Sequence, residues 1–342
     1  MIGFKGYSHG INLGGWLSQC DHTKERYDNF IHKEDIEKIA SWGMDHIRVP
    51  IDYDLIEEKD GTYKEDGFTY IQNVIDWAGE YNLNMVLDVH KTFGYSFDDG
   101  ENESGFFDSK EYQERFYKLW EEFSRRYAKY KDRLCFELLN EVTDEKYSDT
   151  WNIVAKTCIE RIRAIAPDID ILVGGYHNNS VEALKDLLAP VDEHIVYNFH
   201  CYEPHSFTHQ GAPWIPTMDT EFRMHVDEDY AAYREKTGKQ IPWDVRKFDG
   251  YDDKDVFSAD FFDKWLSEAV KISEERNVRL YCGEYGVIDR ADPEDALKWF
   301  EMICSVFDKY GIGRAAWSYK EMDFGIADAR MVGVRDALLK LL

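Results

Sequence analysis

Residues 134–141, LCFELLNE, are the stretch from which the fold of this chain is interpreted. The stretch is an apolar run that closes with an amide and a carboxyl group, Asn140 and Glu141. A second apolar run, 280–286 (LYCGEYG), places Glu284 in a similar setting 143 positions after Glu141. Short apolar runs are typical of buried strands, so each glutamate is expected at the C-terminal end of a strand. Two such carboxyl groups on opposite sides of a sugar bond are what retaining glycoside hydrolysis requires.

Short apolar runs alternate with amphipathic helical patterns along the rest of the chain. The runs predict eight strands, at 10–17, 46–52, 84–90, 134–141, 171–176, 195–202, 280–287 and 313–320. Helical stripes between them include Ile71, Val74, Ile75 and Ala78, then Phe116, Leu119, Trp120, Phe123 and Tyr127, then Phe261, Trp265, Ala269 and Ile272. Alternation of this kind predicts parallel β/α units. Eight strands favour a closed (β/α)8 TIM barrel over an open sheet, and the 342 residues suit one domain, 1–342.

One connection is longer than a barrel needs. Residues 203–260 separate the sixth strand from the next clear helix and are rich in aromatic and charged residues. Long connections in a compact domain are usually functional or form a small subdomain. Because this one leaves the C-terminal end of a strand, we predict an inserted subdomain over the active-site face. A decorative insertion is the alternative.

The charge balance excludes two classes of partner. The chain has 41 basic and 67 acidic residues, a net charge of −26, which would repel nucleic acid and anionic membrane surfaces. A neutral polysaccharide suits such a surface, although solubility alone also explains the acidity. The acidic stretch that includes Asp98, Asp99 and Glu103 is interpreted as a solvated loop face.

Other sequence signals are mostly negative. None of the six cysteines forms a CxxC pair, so a disulfide framework or a zinc site is not expected. No GxGxxG follows the first strand, which argues against dinucleotide binding. The N-terminus shows no signal peptide, so localisation stays open, and no 18-residue apolar stretch predicts a membrane span.

In a barrel of this kind the C-terminal ends of the strands converge on one face, and the polar or aromatic residues there are the candidates for a site. They come from six predicted strands: Arg48, His90, Asn140, Glu141, His200, Tyr202, Glu284 and Trp317. Each has a structural alternative. Arg48 could pair with a buried acid such as Glu137, the histidines could be core residues, and Trp317 could be packing. Together they favour a site, because buried charges need partners.

Seven motifs resemble one known family in order along the chain. They are GINLGGW at 10–16, DHIRVP at 45–50, LDVH at 87–90, FELLNE at 136–141, VYNFHCY at 196–202, YCGEYG at 281–286 and WSYK at 317–320. The chain resembles the family 5 glycoside hydrolases (cellulase family A), a group of (β/α)8 retaining enzymes, and in particular clostridial cellulases of the endoglucanase C type. One departure is Lys91, where many relatives carry a second histidine, which puts a peripheral contact in doubt.

The resemblance implies a role for each candidate. Glu141 would be the general acid/base and Glu284 the nucleophile, with Asn140 bonded to the sugar 2-hydroxyl. Arg48 and Tyr202 would hold Glu284 ionised. His90 and His200 would bind hydroxyls or tune the carboxyl pair, and Trp317 would form the floor of the subsite where the sugar is distorted.

The same assignment follows from charge. Carboxyl groups about 5–5.5 Å apart repel as two anions, so one must keep its proton. Arg48 beside Glu284 would leave the proton on Glu141.

The resemblance implies endo-β-1,4-glucanase activity on β-glucans such as cellulose derivatives and lichenan, with no cofactor and no metal, by a chain that works as a monomer. Mannan, xyloglucan and β-1,3-glucan stay open as substrates. Aromatic rings predicted to form outer subsites are Trp16, Phe93, Phe207 and Trp214. Two other classes are alternatives: a metal-dependent barrel hydrolase with Asp88, His90, His200 and Glu141 as ligands, and a non-catalytic glycan-binding protein.

Overall fold

The eight strands pair in chain order and close into a parallel barrel in a computed structural model that describes residues 3–98 and 104–342. The strands are β1 His9–Asn12, β2 His46–Asp52, β3 Asn84–Lys91, β4 Leu134–Glu137, β5 Ile171–Val173, β6 Ile195–Cys201, β7 Arg279–Tyr285 and β8 Gly313–Ala316. The predicted TIM barrel is confirmed. Asp99 and Glu103, part of the acidic stretch interpreted as a loop face, lie outside the described residues.

Six strands end earlier than predicted: β1, β4, β5 and β8 by three to five residues, and β6 and β7 by one or two. The reason is clearest at β4, where the residues after Glu137 leave the strand but stay hydrogen-bonded to its neighbours. The Leu138 amide donates to Leu172 O at 3.2 Å, and the Asn140 amide donates to Val89 O at 3.0 Å. Asn140 and Glu141 are therefore held just beyond the strand, at the mouth of the barrel.

Helices connect the strands around the outside. They are α1 Lys24–Asn29, α2 Lys33–Ser41, α3 Glu65–Glu80, α4 Lys110–Tyr127, α5 Ser148–Arg163, α6 Tyr176–Asn179, α7 His205–Thr208, α8 Tyr230–Gln240, α9 Ala259–Arg276, α10 Pro293–Tyr310 and α11 Arg335–Leu338. Short 3₁₀ helices occur at Tyr53–Leu55, Ala128–Tyr130, Glu145–Tyr147, Val181–Asp186, Pro242–Phe248 and Ala329–Met331. Among the described residues, no helix is long and apolar enough to cross a membrane.

The predicted helical stripes form the inner faces of α3, α4 and α9. Every stripe residue of α3 and α4 is buried, and those of α9 are buried or partly buried. Each fully buried large apolar side chain contributes about 1.5–3 kcal/mol relative to an exposed one. All six cysteines carry free thiols, and five of them are buried.

Three buried tryptophans connect the helix layer to the ends of the strands that carry the site. Trp120 of α4 donates its indole hydrogen to Leu138 O at 3.1 Å, Trp151 of α5 to Gly174 O at 2.8 Å, and Trp299 of α10 to Glu203 O at 2.9 Å. The three acceptors follow β4, β5 and β6. Packing of the outer helices therefore fixes the loops at the mouth of the barrel.

The connection between β6 and α9 contains α7, α8 and the 3₁₀ helix Pro242–Phe248. Its buried aromatic residues belong to the main hydrophobic core, and Phe257 meets Phe261 of α9 with ring centroids 5.0 Å apart. Within the connection, Asp244 of the 3₁₀ helix lies 2.8 Å from His205 of α7, which places that helix beside the residues that follow β6. The segment thus packs on the barrel next to the residues that follow β6.

Candidate active site

Arg48 of β2 is fully buried and lies at the centre of the barrel mouth. Its guanidinium contacts three carboxylates: Nε donates to Glu137 at 2.7 Å, Nη1 to Glu284 at 2.7 Å, and Nη2 lies 2.9 Å from Asp88. Arg48 therefore contacts both Glu137, the buried acid of the structural alternative, and Glu284, its expected partner in the site. Burial raises the pKa of Asp88 to about 7 even though Arg48 opposes the rise. One cation thus pairs with three buried acids, and this cluster is stable only while the cation is present.

Glu284 lies in β7, and both of its oxygens accept hydrogen bonds from fixed donors. Oε1 accepts from Arg48, and Oε2 accepts from the Tyr202 hydroxyl at 2.9 Å. Burial, followed by the charge of Glu284, raises the pKa of Tyr202 well above its ordinary value, so this hydroxyl keeps its proton and remains a donor. These contacts stabilise Glu284 as an anion and fix its direction.

Glu141 pairs with no arginine or lysine of residues 3–98 and 104–342. Its Oε1 lies 2.6 Å from Nδ1 of His200, and its Oε2 accepts from the Asn178 side-chain amide at 2.7 Å. Burial raises the pKa of Glu141 to about 7, and the Asn178 hydrogen bond opposes the rise. The two glutamates are therefore unlike: Glu284 sits on a fixed cation, and Glu141 is suited to hold a proton near neutral pH.

The two carboxyl groups face each other across His200 of β6. Nδ1 of His200 is 2.6 Å from Glu141 and 3.7 Å from Glu284, and an oxygen of each glutamate lies within 4.8 Å of the other. Burial lowers the pKa of His200 to about 4, so the ring is neutral. This close approach of the carboxyl groups fits the spacing of retaining enzymes better than the wider spacing of inverting ones.

A shift in the strand register puts His200 opposite Glu284. Phe199 pairs with Cys282, but His200 pairs with Glu284, so Gly283 is skipped. A Cβ on Gly283 would lie 2.7 Å from Asn198 Oδ1, and the Gly283 amide donates to that oxygen at 2.9 Å. Only glycine fits this close approach, and irregular pairing of this kind commonly redirects side chains beside active sites.

The remaining candidates line the same mouth. Asn140 accepts from Arg48 at 2.8 Å, and its Nδ2 is buried with no partner among the described residues. Trp317 stacks parallel to His90, with centroids 5.8 Å apart and 3° between the planes. His90 contacts Asp88 through Nδ1 at 2.5 Å, and burial lowers its pKa well below the ordinary value. All eight residues predicted to form the site are thus brought together.

The family model "Cellulase (glycosyl hydrolase family 5)" matches residues 4–323. The chain belongs to glycosyl hydrolase family 5. It is 49% identical to Cellodextrinase A of Ruminococcus flavefaciens over 314 residues, which cover 92% of this chain and 86% of the relative. It is 39% identical to Endoglucanase C of Acetivibrio thermocellus over 352 aligned positions, which cover 100% and 98% of the two chains. The family expected from the motifs is confirmed.

Solved structures agree with this family 5 assignment. The clostridial cellulose synthase subunit Z of Clostridioides difficile superposes with a TM-score of 0.78 at 25% identity, over 98% of this chain and 99% of the other. Endoglucanase Cel5A of the hyperthermophilic Thermotoga maritima gives a TM-score of 0.77 at 25% identity, over 98% and 97%.

Two of the four rings predicted as outer subsites do not fit that role in this family 5 chain. Trp16 is 1% exposed and donates its indole hydrogen to Tyr27 O at 2.9 Å, so no face is open to a sugar. Phe207 is fully buried in the core. Phe93 is partly buried, with Arg115 4.0 Å from its ring centroid. Trp214 is 44% exposed and is the ring best placed to stack on a sugar.

Sequence reasoning missed several residues of this family 5 site. Asn178 and Asn179 lie in α6, where residues 177–179 have positive φ, and no periodic pattern signals that they reach Glu141 and His200. Asn198 donates to Glu137 at 2.7 Å, and a signal for it was present because it follows the same alternation in β6 as His200. Lys91 pairs with Asp98 at 2.7 Å, in place of the second histidine of many relatives.

Two groups among the described residues place histidine and carboxylate atoms close enough to share an ion. One is Glu141, His200 and Glu284, and the other is His22, Asp52 and Asp54. Asp88 and His90, two of the four ligands in the metal-hydrolase alternative, belong to neither group. Asp88 instead contacts Arg48, which supplies the positive charge at the centre of the site.

Proposed function

We propose that this family 5 protein is a retaining endo-β-1,4-glucanase that hydrolyses β-glucans such as cellulose derivatives and lichenan by double displacement. The observation that carries the proposal is the unlike pair of glutamates. Glu284 is held on Arg48 and Tyr202, whereas Glu141, within 4.8 Å of it, has only neutral partners and a pKa raised by burial to about 7. The relatives named as cellodextrinase and endoglucanase support the substrate class.

In the first step Glu284 attacks the anomeric carbon and forms an ester bond to it. The bond from that carbon to the leaving sugar oxygen breaks, and the proton of Glu141 passes to that oxygen. In the second step a water oxygen bonds to the anomeric carbon and gives its proton to Glu141, and the ester bond to Glu284 breaks. Both glutamates return to their starting states, and the sugar keeps its configuration.

We assign the surrounding residues to positions around this reaction. The unpartnered Nδ2 of Asn140 is available to a sugar hydroxyl, and an unsatisfied buried donor is rarely retained without a partner in the working state. Tyr202 and Arg48 hold the nucleophile. His200, neutral between the two glutamates, bridges them, and the Trp317 ring backed by His90 forms a floor for the reacting sugar.

The test of this proposal is a substrate panel. We expect release of reducing sugar from carboxymethylcellulose and lichenan, with little from β-mannan, xyloglucan and laminarin, and no effect of a chelator. Proton NMR of the first product should show the β-anomer. A first-formed α-anomer would contradict retention, and a preference for another glycan would support the alternative substrates. Loss of activity with a chelator would favour a metal-dependent hydrolase. Binding without turnover would indicate a glycan-binding protein.

We also propose that 1–342 is one catalytic domain, that the 203–260 insertion lengthens the cleft, and that the monomer is active. Every group of the proposed site comes from a single chain. Within the insertion, Trp214 lies 6.1 Å from His209, and His209 lies 5.0 Å from Tyr202, which contacts the nucleophile Glu284. An exposed ring thus sits two contacts away from the residue that holds Glu284.

Replacing Trp214 by alanine is expected to lower kcat/KM about fivefold on cellohexaose, because loss of a stacking face removes about 1 kcal/mol. The same variant should act normally on an aryl cellobioside, which is too short to reach the ring. Trp243→Ala is the matched control, since Trp243 is also exposed, to 63%, and lies in the same insertion. Equal losses of kcat/KM in the two variants, or equal losses on both substrates, would show that Trp214 does not bind sugar in the cleft.

A further inference from the structure

The turn after β5 has an unusual backbone. His177, Asn178 and Asn179 have φ values of 49°, 57° and 57°, so three consecutive residues with a Cβ adopt the left-handed conformation. Asparagine adopts it more readily than most residues, but a run of three persists only where the surroundings hold it. Such runs are concentrated at functional sites.

The surroundings of this turn hold it firmly. The Asn178 amide donates to Val142 O at 3.0 Å, which joins the turn to the residue after Glu141. The indole of Trp151 donates to Gly174 O at 2.8 Å. A Cβ on Gly174 would lie 2.1 Å from Oδ1 of Asn179, so glycine at 174 makes the space that the Asn179 side chain fills.

One asparagine of the turn contacts Glu141 directly, and the other contacts His200, which in turn contacts Glu141. The Asn178 side-chain amide donates to Oε2 at 2.7 Å. The Asn179 side-chain amide lies 3.3 Å from Nε2 of His200, and Nδ1 of that ring lies 2.6 Å from Oε1. With Nε2 accepting from Asn179, the neutral ring carries its hydrogen on Nδ1 and donates it to Glu141. Glu141 therefore accepts one hydrogen bond from the turn itself, from Asn178, and one from His200, whose ring the turn orients through Asn179.

We propose that Asn178 is a positioning residue for the acid/base step, which fixes the Glu141 carboxyl and stabilises the carboxylate that forms once the proton has moved to the leaving oxygen. The inference rests on the proposed function of Glu141. Burial raises the pKa of Glu141, and the hydrogen bond from Asn178 lowers it. Glu141 can therefore give up its proton in the first step and act as a base in the second. Asn178 is exposed beside the glutamate, where a leaving sugar would depart.

Glycine at 178 removes the side chain and suits the left-handed backbone, so Asn178→Gly is the variant for the test. We expect kcat/KM for an aryl cellobioside with a poor leaving group to fall about tenfold, the size of one hydrogen bond to a charged group. The fall should be smaller for a dinitrophenyl cellobioside, whose departure needs little protonation.

The pH profile separates this role from a structural one. Activity on the basic side is lost as Glu141 gives up its proton, and the hydrogen bond from Asn178 lowers the pKa of Glu141. The basic limb of kcat/KM should therefore move to higher pH in Asn178→Gly by about one unit. Asn178→Asp, which sets a second carboxylate against Oε2 and also tolerates this backbone, should move it at least as far.

His177→Gly is the matched control, because His177 has the same left-handed backbone in the same turn and no hydrogen bond to either glutamate. It should keep the wild-type rate and pH limb. A folded Asn178→Gly with an unchanged limb, or equal changes in His177→Gly, would overturn the inference while leaving the proposed function intact. A wild-type protein that hydrolyses neither cellobioside would overturn the proposed function, and the inference with it.

Discussion

Glu284→Ala is expected to lower kcat on lichenan by at least about 10⁴-fold, because removal of a nucleophile abolishes the covalent route. Glu284 is the carboxylate that Arg48 and Tyr202 hold in place, and no other carboxylate in the described part of the chain contacts both of them. The cavity left by the side chain should admit a small anion beside Arg48. Added azide is therefore expected to restore turnover of an activated aryl cellobioside and to give the α-glycosyl azide, the inverted product.

Two measurements make this result decisive. Thermal unfolding of Glu284→Ala should remain cooperative, since Arg48 keeps Asp88 and Glu137 as partners. NMR of the azide product gives its configuration. Turnover by Glu284→Ala without added azide, or a β-glycosyl azide in its presence, would assign the nucleophile to another group.

Arg48→Met is expected to destabilise the protein by about 3–5 kcal/mol, the usual cost of removing one partner from a buried ion pair. Methionine keeps much of the volume but leaves Asp88 and Glu137 buried without a cation, and it removes the partner of Glu284 Oε1. Urea unfolding at neutral pH measures the change, and activity should be lost with it.

The loss of unfolding free energy in Arg48→Met should increase as the pH rises. The pKa of Asp88 is about 7 in the folded protein and about 4 in an unfolded chain, so the folded state binds this proton more tightly. Stability from this group is complete below pH about 4 and is lost as the pH rises through 7. Without Arg48 these acids resist ionisation further, so the deficit of Arg48→Met should be larger at pH 8 than at pH 5.

Arg314→Met is the matched control for this experiment. Arg314 of β8 is nearly as buried as Arg48, but its acidic partner Asp308 is 62% exposed and remains solvated after the change. We expect a smaller loss with little dependence on pH. If the two variants lose equal unfolding free energy with equal pH dependence, then burying three carboxylates around Arg48 makes its removal no more destabilising than that of Arg314.

The barrel and the proximity of Glu141 and Glu284 could be predicted because each depends on local patterns. Apolar runs gave the strands, and in a parallel barrel the residues that end them meet by geometry. Asn140 and Glu141 were found in this way even though the strand itself stops at Glu137. Burial of individual aromatic rings could not be predicted in the same way. Trp16 and Phe207 look like sugar-stacking residues by type and position, but packing from distant segments covers both.

The partners of the catalytic residues were harder still, for two physical reasons. A guanidinium can serve several acids at once, so the choice between Glu137 and Glu284 as the partner of Arg48 was not a real alternative. The backbone at Asn178 and Asn179 is left-handed without glycine, and although asparagine tolerates this conformation, a run of such residues depends on the surrounding contacts. Which side chains contact one another across the barrel mouth therefore depends on the tertiary structure.

Residues 178–180, Asn-Asn-Ser, also form an N-glycosylation acceptor sequence. The atom that would carry a glycan is Nδ2 of Asn178, the atom that donates to Glu141 in the folded protein. Because Asn178 is exposed, a secretory host such as yeast would have access to it during synthesis. A glycan there would replace a donated hydrogen and fill the leaving-group side of the cleft. Production in a host that does not attach N-glycans keeps this residue free for its contact with Glu141.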